Sequence, residues 1–149
     1  MSDLKLQILE QIKVAMRAKD RKRLGVLRLV SSAMKQREVD ERIELTDIDV
    51  LAVLDKMVKQ RRESLDQYNK AGREDLAAQE SYELELLAEF LPEPLSADEM
   101  KTLITQAISE TNASSIRDMG AVMANVKAAA EGRADMKLVS AAVRDQLNS

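Results

Sequence analysis

Apolar residues recur along this chain at spacings of three, four and seven, the period of an α-helix with one buried face. From Asp3 to Lys19 the repeat places Leu4, Ile8, Ile12, Ala15 and Met16 on one side. Asp20 can cap a second helix, whose stripe is Leu24, Leu27, Val30 and Met34 and which fades in the polar run Gln36 to Glu44. Thr46 followed by Asp49 forms a capping-box-like start. The helix it opens carries Leu51, Leu54, Val58, Leu65 and Tyr68. Gly72 suits the C-terminal cap of that helix. Glu74 and Asp75 favour the start of the next through its dipole, and Leu76, Leu84, Leu87 and Leu91 line its apolar side.

The run Leu91-Pro92-Glu93-Pro94-Leu95 is the clearest boundary, because two prolines one residue apart stop a helix and stiffen the link after it. Beyond it Ser96 and Glu99 form a capping box, with Met100, Leu103, Ile104, Ala107 and Ile108 facing inward. Ser115 opens another helix with the stripe Ile116, Met119, Met123 and Val126; Gly132 ends that segment. Asp135 can cap the last helix, whose inner side is Met136, Val139, Val143 and Leu147. The expectation is an all-α protein. A four-helix N-terminal part, two helical hairpins over residues 1–91, precedes a small three-helix C-terminal domain over residues 92–149. A second part of that size is marginal as an isolated core.

Composition narrows the chemistry. Of 149 residues, 45% are hydrophobic but only 2% aromatic, and the two prolines and four glycines leave little room for the turns of a sheet protein. The absence of cysteine removes disulfides, thiol catalysis and cysteine metal sites; the absence of histidine removes the usual neutral-pH base and the commonest zinc ligand. No window approaches the roughly 20 apolar residues of a membrane span, and a cytoplasmic setting is expected. The eight methionines are read as core filler that could also give an adaptable contact surface.

Net charge is −3, so the placement of the cations matters more than their sum. Between Lys13 and Arg37 lie Lys13, Arg17, Lys19, Arg21, Lys22, Arg23, Arg28, Lys35 and Arg37, against the single acid Asp20. If Asp20 starts a helix, then Arg17, Lys19, Arg21, Lys22 and Arg23 crowd a hairpin tip. Such a tip suits phosphate binding by counterion release, and it equally suits a solvated helix end. A second basic run, Lys56, Lys59, Arg61 and Arg62, differs in context. Gly72 turns the chain back, and equal distances from it bring Arg62 near Tyr82, Lys59 near Glu85 and Lys56 near Ala88 and Glu89. Interhelical ion pairs are the simpler account there.

In the tail, Arg133, Lys137 and Arg144 fall at spacings of four and seven and line one side of the last helix, with Lys127 just before the loop that leads to it. That loop, Gly132-Arg133-Ala134-Asp135, offers helix-start amides to a phosphate unless Asp135 itself occupies them as a cap. Gly120 interrupts a helix, where glycine costs about 1 kcal/mol relative to alanine, and close approach of another helix is the ordinary explanation. No phosphate-cradling glycine loop or dinucleotide pattern exists, and the serine doublets Ser31-Ser32 and Ser114-Ser115 lie in no glycine-rich loop. No catalytic residue, metal or cofactor is expected.

The runs Tyr68-Asn69-Lys70-Ala71-Gly72-Arg73-Glu74-Asp75-Leu76 and Glu89-Phe90-Leu91-Pro92-Glu93-Pro94-Leu95-Ser96 resemble conserved stretches of the YqeY family. The tail resembles the one shared by YqeY proteins and the GatB subunit of tRNA-dependent amidotransferase, through Asp118-Met119-Gly120-Ala121-Val122-Met123, then Gly132-Arg133-Ala134-Asp135 and Val139. The resemblance covers essentially the whole chain. It implies a helical N-terminal part and a three-helix tail that helps hold tRNA, here as a free-standing contact module accessory to amidation or aminoacylation. Neither the ATP-using domain nor the serine-rich amidase subunit of the larger enzyme has a counterpart here, although the family label can carry a carbon–nitrogen ligase description with glutamine as amido donor. The partners expected are tRNA and, beside it, an aminoacyl-tRNA synthetase or amidotransferase, with no membrane and no sequence-specific DNA. The alternatives are a protein-interaction module that docks on an aminoacyl-tRNA enzyme, and a weak amidotransferase-like ligase.

Overall fold

A computed structural model describes residues 2–130 and 133–148. Helices α1 (Asp3–Arg17), α2 (Arg21–Glu41), α3 (Asp47–Lys70) and α4 (Glu74–Ala88) precede the proline segment. Helix α5 (Ala97–Thr111), a 3-10 turn (Ile116–Asp118), α6 (Met119–Ala130) and α7 (Met136–Asn148) come after it. No strand occurs among the described residues, so the all-α expectation holds. The chain divides into two compact units, Met1–Leu91 and Pro92–Ser149.

Local signals set most helix boundaries. The Asp20 carboxylate accepts from the Arg23 amide, and Thr46 with Asp49, then Ser96 with Glu99, close reciprocal capping boxes. After α3 the chain reverses through a Schellman motif. The Arg73 amide donates to the Tyr68 carbonyl at 2.9 Å and the Gly72 amide to Asn69 at 3.3 Å. Gly72 adopts φ +72°, a left-handed conformation that a Cβ would strain.

In the first unit Ile8, Leu27, Val30, Val50, Leu54 and Leu87 are completely buried in one cluster. The second unit has its own core, in which Ile104, Val122, Ala130, Val139 and Val143 are completely buried. The true inner face of α3 includes Val50, Val53 and Met57 beside Leu54 and Val58, whereas Leu51, Leu65 and Tyr68 are only half-buried. Two expected core residues are on the surface: Met16 is 49% exposed and Ile116 43%. Met16 ends α1 beside the turn, and Ile116 sits in the 3-10 turn before α6, where a helical stripe does not extend.

Helix α2 continues through the polar run where its apolar stripe stops. Side-chain pairs carry it onward: Gln36 donates to Asp40 and Arg37 to Glu41, both one turn ahead. Arg37 also reaches Asp49, and Lys5 of α1 pairs with Glu38. At the other end of that hairpin pair, Asp47 accepts from the Ser2 hydroxyl and the Leu4 amide, which holds its carboxyl below the usual carboxylate range.

The α3–α4 hairpin holds a less settled cluster. Arg61 and Glu83, equidistant from Gly72, form an interhelical ion pair at 3.5 Å, as hairpin register requires. Lys59 departs from that register and pairs with Asp55 on its own helix at 3.1 Å. Arg61 Nε and Glu80 Oε2 are buried without a hydrogen-bond partner among the described residues. Burial, reinforced by the neighbouring Glu83, pushes the Glu80 carboxyl up. Folding therefore favours its protonated form, and stability is lost as pH rises from the ordinary glutamate value, about 4.3, through the raised one. Glu80→Gln is expected to raise the thermal midpoint at pH 7–8 by the equivalent of about 1 kcal/mol. The gain should shrink towards zero near pH 4, which melting across pH checks.

Candidate nucleic-acid interface

The α1–α2 turn is built by three backbone bonds, from Ala18 to Val14, Lys19 to Met16 and Asp20 to Ala15, with Lys19 in a left-handed conformation at φ 56°. This brings Arg17, Lys19 and Arg21 to one exposed tip, and none forms an ion pair with a described residue. Arg23 is turned inward instead. Its guanidinium grips both oxygens of Glu89 at 2.6 and 3.2 Å and Gln11 Oε1 at 3.2 Å. The bonds to Glu89 hold its proton more firmly than usual. Lys22 keeps its ammonium 4.0 Å from the centre of the Tyr82 ring, a cation–π contact. The expected five-residue tip thus separates into three outward cations and two that fasten α2 to α4.

The tail divides similarly. Arg133 donates from Nε to the Glu93 carbonyl at 3.0 Å, lies 3.5 Å from Glu99, and accepts from the Leu95 amide at 2.8 Å through its own carbonyl. It straps the proline segment to the α6–α7 connection, which removes it from the row of outward cations. The helix-start phosphate site is also corrected, because Asp135 Oδ1 accepts from the Lys137 amide at 3.0 Å and fills that place as a cap. Gly132 lies outside the described residues. Lys127, Lys137 and Arg144 are exposed and form no ion pair with a described residue. Lys137 and Arg144, two turns apart, flank the buried row Val139, Val143 and Leu147 on α7.

The other singled-out residues are structural or open. Ser115 caps the 3-10 turn, and the Asp118 carboxylate accepts from the Ser114 and Ser115 amides at 2.8 and 3.3 Å, which keeps its pKa low. Beyond the backbone of its own turn, no atom of the described residues lies within 4 Å of where a Cβ on Gly120 would stand, so close approach of another described helix does not explain it. Glu89, expected opposite Lys56, belongs to Arg23; sequence register along one hairpin could not show a partner on α2.

Two helical units with cations left outward at the α1–α2 tip and along α7 define an all-α protein with exposed basic patches on an acidic chain. The chain belongs to the YqeY-like protein family, whose family profile matches residues 5–147. It is 31% identical over 94 residues to an uncharacterised protein of Schizosaccharomyces pombe, spanning 63% of this chain and 76% of that one. It is 34% identical over 104 residues to the altered inheritance of mitochondria protein 41, mitochondrial, of Clavispora lusitaniae, covering 68% of this chain and 61% of that one. The Eremothecium gossypii protein of the same name is 33% identical over 91 residues, 60% of this chain and 50% of its own. The chain thus spans from half to three-quarters of these relatives. No described helix is long and apolar enough to cross a membrane.

Proposed function

We propose that this protein is a non-catalytic contact module for tRNA, accessory to amidation or aminoacylation. The observation that carries the reading is the pair Lys137 and Arg144, outward and without an ion-pair partner among the described residues, on a chain whose net charge is −3. Lys127 in the tail and Arg17, Lys19 and Arg21 at the tip extend it. Cations kept out of internal pairs are the groups that can neutralise phosphates and release counterions. Ultraviolet cross-linking in cells, with sequencing of the attached RNA, tests it: tRNA should dominate, and recovery of no RNA above background would refute the reading.

The second reading is a module that docks on an aminoacyl-tRNA enzyme or an amidotransferase. It is favoured by Leu138, 68% exposed, and Ile116, 43% exposed, both in the tail unit. Co-purification that survives RNase and falls on Leu138→Ser would support it over the first. The cytoplasm is proposed as the setting; the Clavispora and Eremothecium relatives are called mitochondrial by name, and cell fractionation decides for this chain.

A further inference from the structure

Helix α2 carries a second basic feature that the tip alone does not explain. Arg21, Arg28 and Lys35 recur every seven residues, so they lie in one row, about 10.5 Å apart and about 21 Å from end to end. All three are exposed and make no ion pair with a described residue; Arg28 Nη2 only touches the Met16 sulfur at 3.8 Å. Between them stand Gly25 and Ser32, also exposed. No acid occurs in α2 from Arg21 to Arg37, and the first one beyond, Glu38, is already paired with Lys5. The opposite side of the helix, Val26, Leu27, Val30 and Met34, is buried, so the row is held rigidly.

Gly25 sharpens the point. A glycine inside a helix costs about 1 kcal/mol against alanine, and among the described residues, the backbone of its own helical turn aside, nothing lies within 4 Å of the place its Cβ would occupy. Packing against the described residues therefore gives no reason for it. A ligand backbone drawn close between Arg21 and Arg28 does.

We propose that this row of α2 grips the phosphate backbone of an RNA duplex, an inference that rests on the RNA-contact reading above and names the form of RNA bound. Charge complementarity selects a polyanion, and a straight, rigid row suits a rigid double helix. The aromatic side chains argue against single strands, whose bases are held by stacking on exposed rings. The protein has two tyrosines, one phenylalanine and no tryptophan. Phe90 is buried, Tyr82 lies under Lys22 and Tyr68 is half-buried. None of them provides a stacking platform on this face.

The test uses the full chain with a blunt RNA duplex of about 20 base pairs, the single strand alone, and the DNA duplex of the same sequence. The RNA duplex should bind at least about fivefold more tightly than either of the others. Arg28→Gln with Lys35→Gln should weaken duplex binding about tenfold or more and lower the slope of log affinity against log salt by about two. Its melting temperature should stay near that of the parent. Gly25→Leu should separate the two effects, raising the melting temperature while weakening the duplex complex. A parent that binds the duplex while both variants bind it equally well overturns the α2 row and leaves the RNA reading standing. Equal or tighter binding of the single strand or the DNA duplex overturns the assignment to RNA duplex. A parent that binds no RNA even at low salt removes the RNA reading itself.

Discussion

A protein carrying Lys137→Glu and Arg144→Glu is expected to bind tRNA about tenfold or more weakly than the parent at about 100 mM salt, with a correspondingly smaller salt slope. Both residues lie on the exposed flank of α7 and neither forms an ion pair with a described residue. Their reversal therefore removes two attractive charges, adds two repulsive ones and leaves the core row Val139, Val143 and Leu147 in place. Arg133→Gln is the informative companion. Its guanidinium already serves Glu93 and Glu99, so its loss should loosen the proline segment, with affinity changed far less. Binding isotherms with melting curves for the two variants separate the roles. An Arg133 variant as weak in binding as the double reversal, with unchanged melting, would return that residue to the interface.

Leu54→Ala should destabilise the first unit by about 2–5 kcal/mol. Leu54 is completely buried on α3, in the cluster that gathers Ile8, Leu27, Val30 and Leu87 from the three other helices of that unit. Truncation removes the transfer free energy of its methyl groups and leaves a cavity whose walls come from rigid helices, so collapse is incomplete. Leu51→Ala, one turn earlier and only half-buried, should cost roughly half as much or less. Chemical denaturation of the two variants reads the difference directly; equal losses would place the inner face of α3 where the sequence pattern drew it and contradict the fold described here.

That contrast marks where the sequence was legible. Capping is local, so Asp20, Thr46 with Asp49, Ser96 with Glu99, and Asp135 could be placed from their neighbours alone. The apolar stripes located every helix, but their exact faces slipped. Helix α3 carries Leu, Val and Met on a broad arc, and only packing decides that Val50, Val53 and Met57 go fully inside while Leu51 and Leu65 do not. The end of α2 was hidden because polar pairs such as Arg37–Glu41, not burial, carry it past Met34.

The candidate site shows the same division. Spacing alone brings Lys137 and Arg144 to one side of α7, and clustering alone brings Arg17, Lys19 and Arg21 to a tip. It could not show that Arg23 would be taken by a glutamate 66 residues away, or Arg133 by a carbonyl 40 residues away. Cations look alike in a sequence; tertiary partners decide which remain available. The row Arg21, Arg28 and Lys35 was present in the sequence too, but its meaning depends on Gly25 having no packing neighbour from elsewhere among the described residues and on the far side of α2 being buried.

The most direct test of the central claim is equilibrium binding of bulk tRNA to the purified full chain at about 50 and 200 mM salt. Micromolar or tighter binding at the lower concentration, falling by tenfold or more at the higher, is the expected result for a surface that neutralises several phosphates. No binding at low salt, or binding indifferent to salt, would contradict the claim and turn attention to a protein partner on the exposed apolar residues of the tail.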